Sequence, residues 1–228
     1  MECNLVVSCE HAGNNVPQGF QSIFEGHEEV LSSHKGWDPG AWIIAQEIAK
    51  HFSVVPLGEH TTRLLIETNR SLHHPELYSS YSQGLSAIEK DRLLHEIYLP
   101  YRTSVENEIR KIIKPALHLS IHTFTPVFNG LERSVDIGIL FDPERNMEST
   151  FSKLLLNALK VKLPAMSSRF NEPYLGVDDG FTTHLRKLHP DDHYIGIEIE
   201  VSQKFLGDLH FIVSGLVQAL KTVVTTRS

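Results

Sequence analysis

At 228 residues, 41% of them apolar, the chain has the material for one full hydrophobic core. A formal charge of −7 and a pI near 6.0, without any basic run, argue against nucleic acid and anionic membrane surfaces as partners. No apolar stretch approaches the ~20 residues that span a bilayer, and Met1 to Asn4 lacks the basic-then-apolar pattern of a signal peptide, so a cytoplasmic chain acting on a small molecule is expected.

Asn4 to Cys9 reads as a buried strand. Cys3 and Cys9, the only cysteines, fall on one face of it by parity, a poor geometry for a disulfide, which points to a reduced chain. Pro39 to Phe52 follows as a helix with Ala41, Ile44, Ala45, Ile48, Ala49 and Phe52 on one stripe. Ser53 to Leu57 and Thr62 to Glu67 read as strands, and the polar segment Ser71 to Gln83, too hydrophilic for a core role, is expected to lie over the site. A helical stripe then runs through Leu94, Ile97, Tyr98, Tyr101, Val105, Ile109 and Ile112, which Pro100 should kink or divide because it removes one ladder donor.

The second half repeats the alternation: strand Leu117 to Ile121, strand Val135 to Phe141, helix Ser149 to Lys162, strand Tyr194 to Val201, and a last helix from Leu206 to about Val223. No composition break, linker or internal repeat divides the chain, so residues 1–228 are expected to form one domain. The predicted fold class is α/β, a three-layer α/β/α sandwich with a mixed sheet.

The carboxyl ends of parallel strands converge on one rim, so residues dispersed at strand ends can form one site. His11 and His122 both stand at such ends, and imidazole is the commonest zinc ligand at neutral pH. A third ligand could come from Asp38, Asn14 or Glu10; Asp38 also precedes Pro39, where a helix N-cap is an equally good reading. Glu198 and Glu200 point to one face by period 2, and a carboxylate at the end of the last strand suits a general base. Arg63, Asn69 and Arg70 combine guanidinium forks with an amide, the chemistry that grips a carboxylate. Others of the fourteen histidines, among them His73, His74 and His189, lie in polar loops and receive no role.

Taken together, Val7 to Asn14 with Val16-Pro17, His34 to Ala41, Arg63 to Ser71, Ile121 to Pro126, Ile137 to Phe141, Asn171 to Tyr174 and Ile199-Glu200 resemble the N-formylglutamate amidohydrolase family. The resemblance implies a zinc-peptidase-like (phosphorylase/hydrolase-like) fold and a zinc-dependent hydrolase with one ion. It implies His11 and His122 as metal ligands, Glu200 as base, Arg63 as the group that polarises the scissile carbonyl, Asn69 and Arg70 on the substrate carboxylate, and Tyr174 as lid or proton relay. Related enzymes carry a glutamate three residues after the first histidine; Asn14 stands there in this chain, which transfers the third ligand to Asp38. Smaller departures are Glu67-Thr68 before Asn69, Thr123 after His122, and Ser202-Gln203 after the final strand. The implied partner is a small acidic N-acyl amino acid such as N-formylglutamate, and the implied assembly a monomer or small homo-oligomer. Two alternatives stay open: a zinc amidase or carboxypeptidase acting on a peptide or cell-wall fragment, and a non-catalytic protein that binds an acidic metabolite.

Overall fold

The computed structural model describes residues 4–113 and 115–224. In chain order its strands and helices are β1 (Asn4–Cys9), α1 (Glu28–Ser32), α2 (Ala41–Phe52), β2 (Leu57–Gly58), α3 (Ala87–Leu93), α4 (Leu99–Lys111), β3 (Ala116–Phe124), β4 (Val127–Phe128), β5 (Leu131–Glu132), β6 (Ile137–Leu140), α5 (Asn146–Lys162), β7 (Ser168–Phe170), α6 (Phe181–Leu188), β8 (Tyr194–Ser202) and α7 (Leu209–Val223). Six strands form a mixed sheet in the order β2-β1-β3-β8-β6-β7. β2, β1, β3 and β8 run parallel, and β6 joins β8 antiparallel. Helices cover both faces, giving the expected α/β/α sandwich.

Strand periodicity explains the layering. Leu5, Val7 and Cys9 of β1, Leu117, Leu119 and Ile121 of β3, and Ile195, Ile197, Ile199 and Val201 of β8 share one core with the apolar stripes of α2, α5 and α7. The alternate residues face α4 and α6, where Val6, Ala116 and Tyr194 pack with Tyr101, Val105, Ile109, Phe181 and Leu185. Pairing aligns Ser8 with Ser120, Ser120 with Glu198, and His122 with Glu200, so this second face also carries buried polar groups toward one end. A third apolar cluster, Phe20, Phe24, Leu64, Leu65, Ile66, Leu77, Leu93, Ile97 and Tyr98, anchors the long connections beside the sheet.

Several sequence expectations need correction. Of Ser53 to Leu57 only Leu57 enters the sheet; Ser53 caps α2 in the left-handed region, and Val55 is 82% exposed. Thr62 to Glu67 is a turn and not a strand: the Leu65 N–H bonds the Thr62 carbonyl at 3.1 Å and the Arg63 N–H bonds the Gly36 carbonyl at 3.1 Å. Leu64, Leu65 and Ile66 are all buried, and a short apolar run reports burial without fixing the period. The segment Ser71 to Gln83 contributes Leu77 to the third cluster and does not roof the site. Pro100 stands in the first turn of α4, and the helical run is divided just before it, as expected: a π turn over Leu94–Tyr98, with the Leu99 N–H bonding the Leu94 carbonyl, links α3 to α4.

The last helix begins at Leu209, after a 3-10 turn over Gln203–Asp208. Sequence reading missed α3, which opens on a Ser86–Glu89 capping box, along with α6, β7 and the β4–β5 hairpin. Cys3 lies outside the described residues; Cys9 is a buried free thiol. No described helix is long and apolar enough to cross a membrane.

Candidate active site

Asp38 was open between two roles, and helix geometry separates them. α2 begins at Ala41 with Gly40 as its N-cap at φ +87°, a left-handed conformation that favours glycine, and no side chain caps it. The Asp38 carboxylate is therefore free to turn inward. Its Oδ2 lies 3.2 Å from Nδ1 of His11 and 2.9 Å from Nδ1 of His122, and its Oδ1 lies 3.4 Å from Nη1 of Arg63. His11 arrives on the turn after β1 and His122 near the end of β3; their ring centroids are 5.0 Å apart.

The far nitrogen of each imidazole meets a different carboxylate. His11 Nε2 is 2.5 Å from Glu67 Oε1, and His122 Nε2 is 3.0 Å from Glu10 Oε2. Glu67 is held in turn by Arg63 Nε at 2.6 Å, and Glu10 accepts from Ser8 at 2.8 Å, Tyr101 at 2.7 Å and Ser120 at 2.5 Å. Histidines whose outer nitrogen is fixed by a carboxylate present the inner one in a set tautomer and orientation, as metal-binding histidines do. Of the other two candidate ligands, Glu10 sits behind His122, and Asn14 spends its amide on the Leu31 carbonyl at 2.8 Å.

Burial and Arg63 pull the His11 pKa down, but Glu67 and Asp38 outweigh them and raise it. At His122 burial is likewise overcome, by Asp38 and Glu10, and its pKa stands well above the ordinary value. Glu10, Asp38 and Glu67 are all depressed: burial opposes ionisation, and the neighbouring imidazoles, with Arg63 at Glu67, more than compensate. Glu200 behaves in the opposite sense. Burial pushes it up to about 7, with Asp38 and Glu198 adding to the rise and His122 resisting it.

His11, Asp38 and His122 can offer three ligand atoms within 4.8 Å of one another, all buried. Two imidazole nitrogens and a carboxylate oxygen are a donor set that zinc accepts, with room for a fourth position. Glu200 sits beside His122 in the sheet register, and its buried Oε2 has no hydrogen-bond partner among the described residues, which leaves it open to a polar group in the cavity. The residues present fit a metal-binding hydrolytic site.

A cavity of about 170 Å³ opens over this cluster. Arg63, Asn69, Arg70, Thr123, Tyr174, Glu198 and Glu200 border it, with the loop from Leu175 to Gly180. Asn69 accepts from the Phe181 N–H at the start of α6 at 2.8 Å through Oδ1, which leaves its NH2 group to donate. Arg70 is steadied by the Asp179 carbonyl, and Tyr174, 43% exposed, meets Arg133 Nη2 through its hydroxyl at 3.2 Å. The expected lid over Ser71 to Gln83 is thus replaced by the 174–180 loop. A larger groove of about 810 Å³ lies at the opposite ends of the strands, against Asn4, Phe52, Val54 and Ile112, without such a cluster among the described residues.

The N-formylglutamate amidohydrolase family model matches residues 3–206, a span that holds every residue of this cluster. The chain belongs to that family. The gene product Atu2144 of Agrobacterium tumefaciens shares its fold at a TM-score of 0.78 and 25% identity, over 97% of this chain and 92% of that one. The N-formylglutamate amidohydrolase of Ralstonia eutropha JMP134 superposes at a TM-score of 0.71 and 15% identity, over 98% and 95% of the two chains, a likeness of fold. No curated protein sequence matches.

In this member of the N-formylglutamate amidohydrolase family, His11, Asp38, Arg63, Asn69, Arg70, His122, Tyr174 and Glu200 all line one cavity, whereas Asn14 does not. Sequence reasoning missed Glu67 as the partner of both His11 and Arg63, although it stands four residues after Arg63. It also missed Asp179 and Gly180, whose loop offered no periodic signal, and the buried contacts of Glu10.

Proposed function

We propose that this chain is a zinc-dependent amidohydrolase, with one ion, that cleaves the amide of an N-acyl amino acid, N-formylglutamate being the first candidate. The observation that supports this best is the convergence of His11 Nδ1, His122 Nδ1 and Asp38 Oδ2 beside a buried carboxylate, Glu200, in a chain of this family. A bound divalent cation supplies Lewis-acid chemistry, acidifying water and polarising a carbonyl. Glu200 takes the proton of the attacking water and returns it to the leaving amine, a duty that suits a carboxyl group pushed up to about 7. Arg63, held by Glu67 and Asp38 with 28% of its side chain exposed, donates to the developing oxyanion, an effect worth about 3 kcal/mol per donor. Asn69 and Arg70 bind the α-carboxylate, and Tyr174 closes the mouth.

The cavity of about 170 Å³ favours a small acyl amino acid over a peptide or cell-wall fragment. Metal analysis of the purified chain, followed by formate release from N-formyl-L-glutamate before and after chelation, tests the reading. One zinc per chain and activity lost on chelation and restored by zinc are expected. A chain that binds no divalent ion, or that deacylates equally well after chelation, would overturn it.

A further inference from the structure

Arg133, which no motif in the sequence singled out, follows the β4–β5 hairpin, a separate two-stranded sheet that comes directly after β3 in the chain. Its guanidinium lies over three aromatic rings, 4.7 Å from Phe128, 5.0 Å from Tyr174 and 5.5 Å from Phe124. Nη1 donates to the Thr125 carbonyl at 3.2 Å and Nη2 to the Tyr174 hydroxyl at 3.2 Å. Arginine carries five N–H donors, so most of them are uncommitted. Among the described residues no carboxylate lies within ion-pair distance of it, whereas Arg63 is paired with both Glu67 and Asp38.

A half-buried cation costs desolvation, and the rings repay only part of it. The cradle holds the guanidinium beside the pocket, against Tyr174, which lines the cavity. His34 reports the same proximity: burial, Lys35 and Arg63 depress its pKa, and Arg133 contributes alongside. Arg70 is the other guanidinium there with no carboxylate within ion-pair distance among the described residues; it is fixed through the Asp179 backbone carbonyl, and the Asp179 carboxylate feels its charge from farther off. One such guanidinium on the pocket wall and a second behind Tyr174 at its mouth suit a ligand that has two carboxylates. The negative groups nearby are already engaged, Asp178 with the Leu175 N–H and Asp179 with the Ser71 N–H.

We propose that Arg133 binds the side-chain carboxylate of the substrate, while Arg70 and Asn69 bind the α-carboxylate, so that the enzyme selects N-acyl amino acids with acidic side chains. This rests on the reading of the site as an N-acyl amino acid hydrolase. N-formyl-L-glutamate and N-formyl-L-glutamine differ only in that carboxylate, so the ratio of their kcat/KM values isolates the contact. The zinc-loaded full chain should prefer glutamate by about tenfold to a hundredfold, the range of a charge-assisted contact. Arg133→Met should collapse the ratio toward one, and Arg133→Lys should keep part of it.

Calorimetric titration of both compounds into Glu200→Gln, with and without Arg133→Met, reads the same preference as binding without turnover. A ratio that stays fixed while both substrates fall together would make Arg133 a packing residue only, overturning this inference and sparing the amidohydrolase reading. Neither hydrolysis nor binding of either compound would overturn both.

Discussion

Strands β1, β3 and β8 turn one face to α2, α5 and α7 and the other to α4 and α6, and the two faces are filled by different physics. On the first, Val7, Leu119, Ile197 and Ile199 are fully buried among aliphatic neighbours and any well-shaped apolar side chain would serve. On the second, Ser8, His118, Ser120, His122 and Glu200 are buried polar groups, each costly unless a partner of the right kind is in place. The first face supplies the aliphatic core. The second makes a site possible, and Ile199 and Glu200, adjacent in sequence, belong one to each.

Four perturbations sharpen that contrast. Glu200→Gln should lower kcat for deacylation by about 10²–10⁴-fold while metal content, read by elemental analysis, stays that of the parent chain. If such a variant kept more than about a tenth of the parent rate, another group would be the base. Ile199→Ala, one position away, should instead cost about 2–5 kcal/mol in denaturant unfolding, since it leaves a void in a close-packed layer. Metal stoichiometry of the folded fraction should not change. Equal losses of activity from the two substitutions, with no loss of stability from the second, would erase the distinction between the faces.

The third is a titration. His118, between Ser8 Oγ at 2.7 Å and the Tyr194 hydroxyl at 2.8 Å, has its pKa lowered to about 4 by burial, against the pull of Glu10 and with Arg186 assisting. Between that value and the unfolded value near 6.5, the unfolded chain binds a proton that the folded chain refuses. His118 therefore contributes stability above pH ~6.5, loses it as pH falls, and levels off below about 4, a swing of about 3 kcal/mol. Unfolding free energies of the parent and of His118→Gln from pH 7 to 4 should differ by that slope, and parallel curves would show that folding does not lower the proton affinity of His118. The mildest change is Glu10→Gln, which keeps shape but weakens the hold on His122 Nε2 and should reduce zinc affinity by about 10–100-fold. Competition with a chromogenic chelator reads it, and an unchanged affinity would mean that Ser120 alone, 2.9 Å from the same nitrogen, suffices to orient the ring.

What the sequence made legible follows the same division. The aliphatic face announced itself by period 2 in β1, β3 and β8, and His11, His122 and Glu200 could be read because each stands at or near the end of such a run. Asp38 stayed ambiguous because an aspartate before Pro39 looks like a cap until the chain is seen to place Gly40 there. Glu67 was hidden because Thr62 to Ile66 is apolar enough to pass for a strand, and only its turn brings Glu67 back onto Arg63 and His11. Arg133 follows a hairpin whose two-residue strands are too short to carry any periodicity.

The π turn over Leu94–Tyr98 has a consequence for how this scaffold can be altered. It amounts to one extra residue in an otherwise continuous helical run, and each residue of an α-helix advances the azimuth by about 100°. Excising a single position from that turn would leave two good helices and an intact sequence on either side, yet would swing the far half around its axis. Tyr101 would leave Glu10, Arg102 would leave the Thr68 carbonyl, and the pocket would lose its backing through a deletion that touches none of its walls.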